Sequence, residues 1–183
     1  SERVAGRECQ VVILEPRDEF RYTQMIWIDR ESKLPLKART VDEHGAPVSM
    51  FVFSEIEIGR QPDKAVFDVR MAGKRMEAAG MAPSPANNAW RVSPPPGFHP
   101  VLETMRPLPG KKSRVLHTIY SDGMSSLSLF IEPIVEGVSY LEGLSTESAT
   151  NIYARRVDGH KVTALGEVPA AALLLTANSA QRQ

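Results

Sequence analysis

One cysteine in 183 residues, Cys9, excludes an internal disulfide. It alternates with Val11 and Ile13, so its expected place is a strand face where a thiol packs as a small buried hydrophobe. A reactive role would need a neighbouring base that the sequence does not identify. Net charge is missing as well. The 22 basic and 22 acidic residues cancel, so no overall field draws the chain toward nucleic acid or an anionic membrane. Aromatic residues do not interleave with basic ones as a single-strand nucleic-acid platform requires, and Arg155-Arg156 is too short a run to change that. No apolar run approaches the ~20 residues that span a bilayer as a helix.

Catalytic patterns are equally scarce. His44, His99, His117 and His160 never fall at metal-ligand spacing from one another or from Cys9, and no phosphate loop is present, so no metal or cofactor is implied. Ser125, His117 and Asp122 could be imagined as a triad, but no nucleophile elbow surrounds any serine. His117 lies on the same alternate face as Val115 and Ile119 and reads as a hydrogen-bonded strand histidine. The expectation is that the protein is not an enzyme.

Turns and alternation are what the chain does have. Glu43-His44-Gly45, Tyr120-Ser-Asp-Gly123 and Val157-Asp-Gly-His160 each sit between alternating runs, where an X-Gly pair supplies the positive φ of a tight hairpin. Residues 6–15, 19–29, 33–42 and 48–58 are predicted to form four strands of a meander. In the second, Phe20, Tyr22, Gln24, Ile26 and Ile28 share one face, with Arg21, Thr23, Met25 and Trp27 on the other. In the fourth, Val48, Met50 and Val52 oppose Phe51 and Phe53. Apolar groups on both faces imply cover on both, and nothing nearby in the chain is expected to supply the second cover.

Residues 71–89 read as a linker, with a weak helix over Lys74–Ala82. Beyond it, strands are predicted at about 99–106, 113–120, 124–133, 149–156 and 161–167, with a loop over 134–147. Pro169 then opens an Ala- and Leu-rich helix to about Ala180, whose Leu173 and Leu174 should face the sheet. Charge is uneven along the chain. Residues 1–70 carry 11 basic and 13 acidic residues, a net of −2, which leaves 11 and 9, a net of +2, in residues 71–183. Arg106, Lys111, Lys112 and Arg114 cluster there, and Glu132, Glu136, Glu142 and Glu147 follow. The plain reading of both clusters is a solvated surface.

Two sets of residues carry a resemblance. Met25-Ile-Trp-Ile-Asp29, Lys33-Leu-Pro-Leu-Lys37, Val41-Asp-Glu-His-Gly45 and Phe51-Val-Phe53 resemble the closing strands of the LolA-like lipoprotein-binding fold. Trp90-Arg-Val, Pro96-Gly-Phe98, His117-Thr-Ile-Tyr-Ser-Asp-Gly123, Ser128-Leu-Phe-Ile-Glu-Pro133 and Gly166-Glu-Val-Pro169 resemble the C-terminal domain of the MucB/RseB family. The Pro-Pro-Pro-Gly-Phe stretch departs from a commoner Leu-Pro-x-Gly-Phe form.

The resemblance implies a mainly β (α+β) chain. Residues 1–70 would be the C-terminal part of a LolA-like half-barrel, residues 71–89 a linker, and residues 90–183 a small antiparallel-sheet domain with one helix. Family members begin with a signal peptide and the first half of the half-barrel. This chain, which opens without a Met, is expected to lack both as a mature or truncated piece. The resemblance further implies a periplasmic regulator that binds the periplasmic segment of a membrane-anchored anti-sigma factor. It would shield that segment from a site-1 protease and be released by lipopolysaccharide or lipoprotein acyl chains. Met25, Trp27, Phe51 and Phe53 are the expected lipid contacts, and Arg106, Lys111, Lys112 and Arg114 the expected partner contacts. A lipid or lipoprotein carrier and a structural adaptor are the rival functions. Whether the chain forms a homo-oligomer stays open.

Overall fold

The computed structural model describes residues 2–61, 63, 89–107, 114–135 and 137–183. The expected linker, Ala89 excepted, lies outside the described residues with its weak helix, as do Lys111 and Lys112. Five antiparallel strands follow one another in chain order in a first sheet: β1 Glu2–Val4, β2 Arg7–Leu14, β3 Thr23–Asp29, β4 Pro35–Val41 and β5 Pro47–Val52. Local chemistry sets the turns. Asp42 Oδ1 accepts the N–H groups of His44 and Ala46, and Gly45 supplies a φ of 79°.

Two predicted strands are shorter than expected. The second begins at Thr23, because residues 19–22 leave the sheet to engage the other half of the chain. The fourth ends at Val52. Phe53 N–H still donates to the Leu36 carbonyl, and the chain then turns away so that Ile56 packs on the cluster of Val4, Cys9, Trp27 and Leu36. The expectation that nothing nearby covers the second face is thereby corrected in part. Cys9 is fully buried there, as its alternation implied.

The second half opens with β6 Trp90–Arg91 and continues through β7 His99–Pro107, β8 Arg114–Ser121, β9 Ser126–Pro133, β10 Gly143–Glu147, β11 Thr150–Val157 and β12 His160–Gly166. Helix α1 Ala170–Asn178 and β13 Gln181–Arg182 end it. Six of the strands form an antiparallel sheet in the order β10-β11-β12-β9-β8-β7, and β6 pairs with β13 as a separate ribbon. Strand β10 lies inside the predicted 134–147 loop. Its pairing partner is the adjacent β11, across a hairpin in which Ser148 takes a φ of 55°.

Helix α1 packs on β9, β11 and β12. Leu116, Leu127, Leu129, Ile131, Val162 and Ala164 form the sheet side of the core. Ala172, Leu173 and Ala177 close it from the helix, with Thr176 buried beside them, so the packed stripe follows the 3.6-residue period. Leu173 faces the core as expected. Leu174, one step round the helix, is only half-buried.

Candidate functional site

The two sheets meet through the loop between β2 and β3. Phe20, half-buried, packs against the core of the second sheet. Arg21 Nε donates to Asp122 Oδ2 at 2.5 Å, Nη2 donates to the Pro96 carbonyl at 2.6 Å, and Nη1 pairs with Asp18 in its own loop. The guanidinium also lies over the Phe98 ring, 4.8 Å from the centroid. Asp122 is held from behind, because its Oδ1 accepts the N–H groups of Met124 and Ser125. Burial alone would raise the Asp122 pKa, but these N–H groups and Arg21 outweigh it and hold the carboxyl below its ordinary value.

A second bridge lies beside the first. Asn151 Nδ2 donates to the Tyr22 hydroxyl at 3.0 Å and to the Val168 carbonyl at 2.9 Å. Burial, with Glu43 and Asp42 adding to it, pushes the Tyr22 phenol above its usual pKa against the opposing hydrogen bond from Asn151. It therefore stays a neutral hydroxyl at this junction.

Around this clasp the sheets leave clefts. One of about 380 Å³ runs between Asp18, Glu19, Asp42 and Glu43 and the start of α1. Another, of about 450 Å³, is rich in hydroxyls. Gln24, Thr40 and Ser49 line it from the first sheet, and Ser125, Ser126 and Ser128 from the second. These groups can hold a polar chain by hydrogen bonds, with Glu167 at the same cleft. Among the described residues no three His, Cys, Asp or Glu side chains converge on a metal position, and no helix is long and apolar enough to cross a membrane.

The sheet register does not bring the four expected lipid contacts together. Directly opposed residues share a face. Met25 and Trp27 stand with Ile13, Val11, Arg39 and Lys37, and further out with Met50 and Val52. Phe51 stands on the other face with Ala38 and Ile26, and Phe53 meets Phe51 edge-on at 4.9 Å. Trp27 is buried, with its indole N–H donating to Glu2 and Lys37 over its ring. Phe51 and Phe53 are exposed.

The basic cluster is partly described. Arg114 Nη2 donates to the Met105 carbonyl. Arg106 lies over Phe130, and its buried Nε has no hydrogen-bond partner among the described residues. His117 stacks on the same ring, 4.2 Å between centroids, with Nε2 3.1 Å from Ser128 Oγ. Burial first, then the charge of Arg106, lowers the His117 pKa to about 4, so it is neutral near pH 7. Sequence reasoning missed the clasp. Arg21 and Tyr22 read as strand residues, and Asp122 had a sufficient explanation as a turn former.

Two family models divide the chain as its two sheets do. The one described as "MucB/RseB N-terminal domain" matches residues 1–71, and "MucB/RseB C-terminal domain" matches residues 84–181. The chain belongs to the MucB/RseB family. It is 33% identical over 174 residues to the sigma factor AlgU regulatory protein MucB of Pseudomonas aeruginosa, covering 91% of this chain and 54% of that protein. To the sigma-E factor regulatory protein RseB of Escherichia coli K12 it is 26% identical over 174 residues, covering 91% and 52%. The chain thus spans about half the length of the curated relatives it matches. A solved Pseudomonas aeruginosa MucA/MucB complex matches all of this chain and 62% of the other at a TM-score of 0.80 and 30% identity. A crystal structure of MucB matches all of this chain and 60% of the other, with a TM-score of 0.68 and 27% identity. The mainly β fold with one helix, a curled antiparallel sheet and further antiparallel strands is the fold of these relatives.

Proposed function

We propose that this chain is part of a periplasmic regulator that binds the periplasmic segment of a membrane-anchored anti-sigma factor and shields it from site-1 proteolysis. The observation that carries this reading is the likeness of the whole chain to a MucB bound to MucA. The relatives it matches are named regulatory proteins, which supports a binding role over catalysis. Residues 1–70 and 90–183 act in it as two domains, joined by residues 71–89. The clefts near the Arg21 clasp offer an extended segment side-chain pockets and hydrogen-bonding side chains.

Lipopolysaccharide or lipoprotein acyl chains act as the releasing signal. Phe51 and Phe53, exposed on one face, offer the first apolar contact, with Met25 and Trp27 on the opposite face. Competition needs only that the two ligands favour different arrangements of the sheets. The exposed phenylalanines also favour a second reading, a lipid or lipoprotein carrier. An affinity column bearing the anti-sigma segment separates the two. A regulator is retained and then eluted by acylated ligand, whereas a carrier passes through.

A further inference from the structure

His117 and Ser128 turn away from helix α1. Leu116 on β8 and Leu127, Leu129 and Ile131 on β9 face the core that the helix closes, so the alternate residues His117, Ser128 and Phe130 stand on the opposite side of the sheet. His117 is 4% exposed, lies flat on the Phe130 ring and is neutral near pH 7.

A neutral imidazole carries one proton, on either nitrogen. Nε2 lies 3.1 Å from Ser128 Oγ, while the buried Nδ1 has no hydrogen-bond partner among the described residues. A proton on Nδ1 would bury a strong donor without an acceptor. It would also add positive character to a ring on which the Arg106 cation already disfavours it. A proton on Nε2 leaves only a lone pair at the buried position and donates to Ser128 Oγ. The second arrangement is the one these surroundings favour.

Ser128 also lines the hydroxyl-rich cleft of about 450 Å³ between the sheets, and its Oγ hydrogen-bonds to no other described residue. With that oxygen accepting from His117, the hydroxyl hydrogen is left for whatever enters the cleft. The neighbouring Thr40, Ser49, Ser126 and Thr150 can each give or take a hydrogen bond, so they set no polarity. Among the described residues lining the cleft there is no Lys, Arg or His, and Glu167 is its one charged group, which disfavours an anion. A neutral oxygen acceptor is what suits Ser128.

We propose that His117 is a positioning residue that keeps its proton on Nε2 and so fixes the Ser128 hydroxyl as a donor into the cleft, where it meets a main-chain carbonyl of the partner's segment. This rests on the regulator reading and names the group polarity for which that cleft selects.

The full chain tests this, with the periplasmic segment of Pseudomonas aeruginosa MucA as probe. Heteronuclear NMR of isotope-labelled histidine should show the His117 proton on Nε2 and a bare Nδ1. Ser128→Ala should weaken calorimetric binding about five-fold, the size of one neutral hydrogen bond. His117→Phe, which keeps a ring on Phe130, should weaken binding in the parent chain but cost nothing further beside Ser128→Ala, because it acts through that hydroxyl. A proton on Nδ1, additive losses in the double variant, or parental affinity in Ser128→Ala overturns the proposal and leaves the regulator reading standing. No binding by the unmodified chain overturns both. If Ser128→Ala weakens binding of lipopolysaccharide and not of the peptide, the donor serves a saccharide headgroup and the proposal fails.

Discussion

Arg21 reaches across 101 positions of sequence to Asp122 and fastens one sheet to the other. Breaking it should cost more than a surface ion pair, since the Asp122 side chain is only 10% exposed. Asp122→Asn keeps an oxygen for Met124 and Ser125 yet loses the charge, so it isolates the bridge. About 1–3 kcal/mol of stability should disappear in urea denaturation. In a double-mutant cycle, Arg21→Ala and Asp122→Asn should couple by about 1 kcal/mol or more, and additive effects would show that the two residues act separately. The depressed Asp122 pKa gives the pH sense. Its contribution is present above the ordinary carboxylate value and is lost as pH falls through the lower folded one.

Gly97 makes room for that guanidinium. Its φ is +84°, and a Cβ built there would stand 2.8 Å from Arg21 Nη2. Gly123, with φ +93°, has nothing within 4 Å of the same position. Gly123→Ala should therefore cost only backbone strain, about 1 kcal/mol. Gly97→Ala should cost visibly more and lower the melting temperature further. Equal shifts would mean that Arg21 simply swings aside.

His117 should make the second sheet sensitive to mild acid. Its folded pKa is near 4 against an ordinary 6.5. The unfolded chain therefore binds the proton first, and stability falls as pH drops between those values. The lost amount is on the order of 3 kcal/mol if the shift holds in full. His117→Asn should flatten the stability profile between pH 6.5 and 4. A profile of unchanged slope would place the acid sensitivity elsewhere.

Replacing Lys111, Lys112 and Arg114 together by Ala tests the basic cluster in the partner complex. The expected result is slower association, a shallower salt dependence and under about 1 kcal/mol lost per charge. Stopped-flow rates across a salt series measure it. Wild-type rates throughout would leave the cluster as solvated surface.

Local rules made much of the fold readable. Asp158 and Gly159 both take positive φ, as their hairpin demands, and the Ala-Leu helix starts after Pro169 as expected. What escaped were relations that only tertiary contact creates. Phe20 and Tyr22 continue the alternation of β3 in sequence but serve the other half of the molecule. Strand β10 and the two-residue β6–β13 ribbon owe their existence to partners, not to their own patterns. The separation of Met25 and Trp27 from Phe51 and Phe53 follows from cross-strand register, which single-strand periodicity does not contain.

Phe20 carries a consequence for dissecting the molecule. Its ring packs, half-buried, against the hydrophobic core of the second half while its backbone belongs to the first. Cutting the chain between the halves would bare the apolar surface this ring covers on one piece and strand the aromatic in solvent on the other. Heating the intact chain should accordingly melt both halves in one cooperative transition.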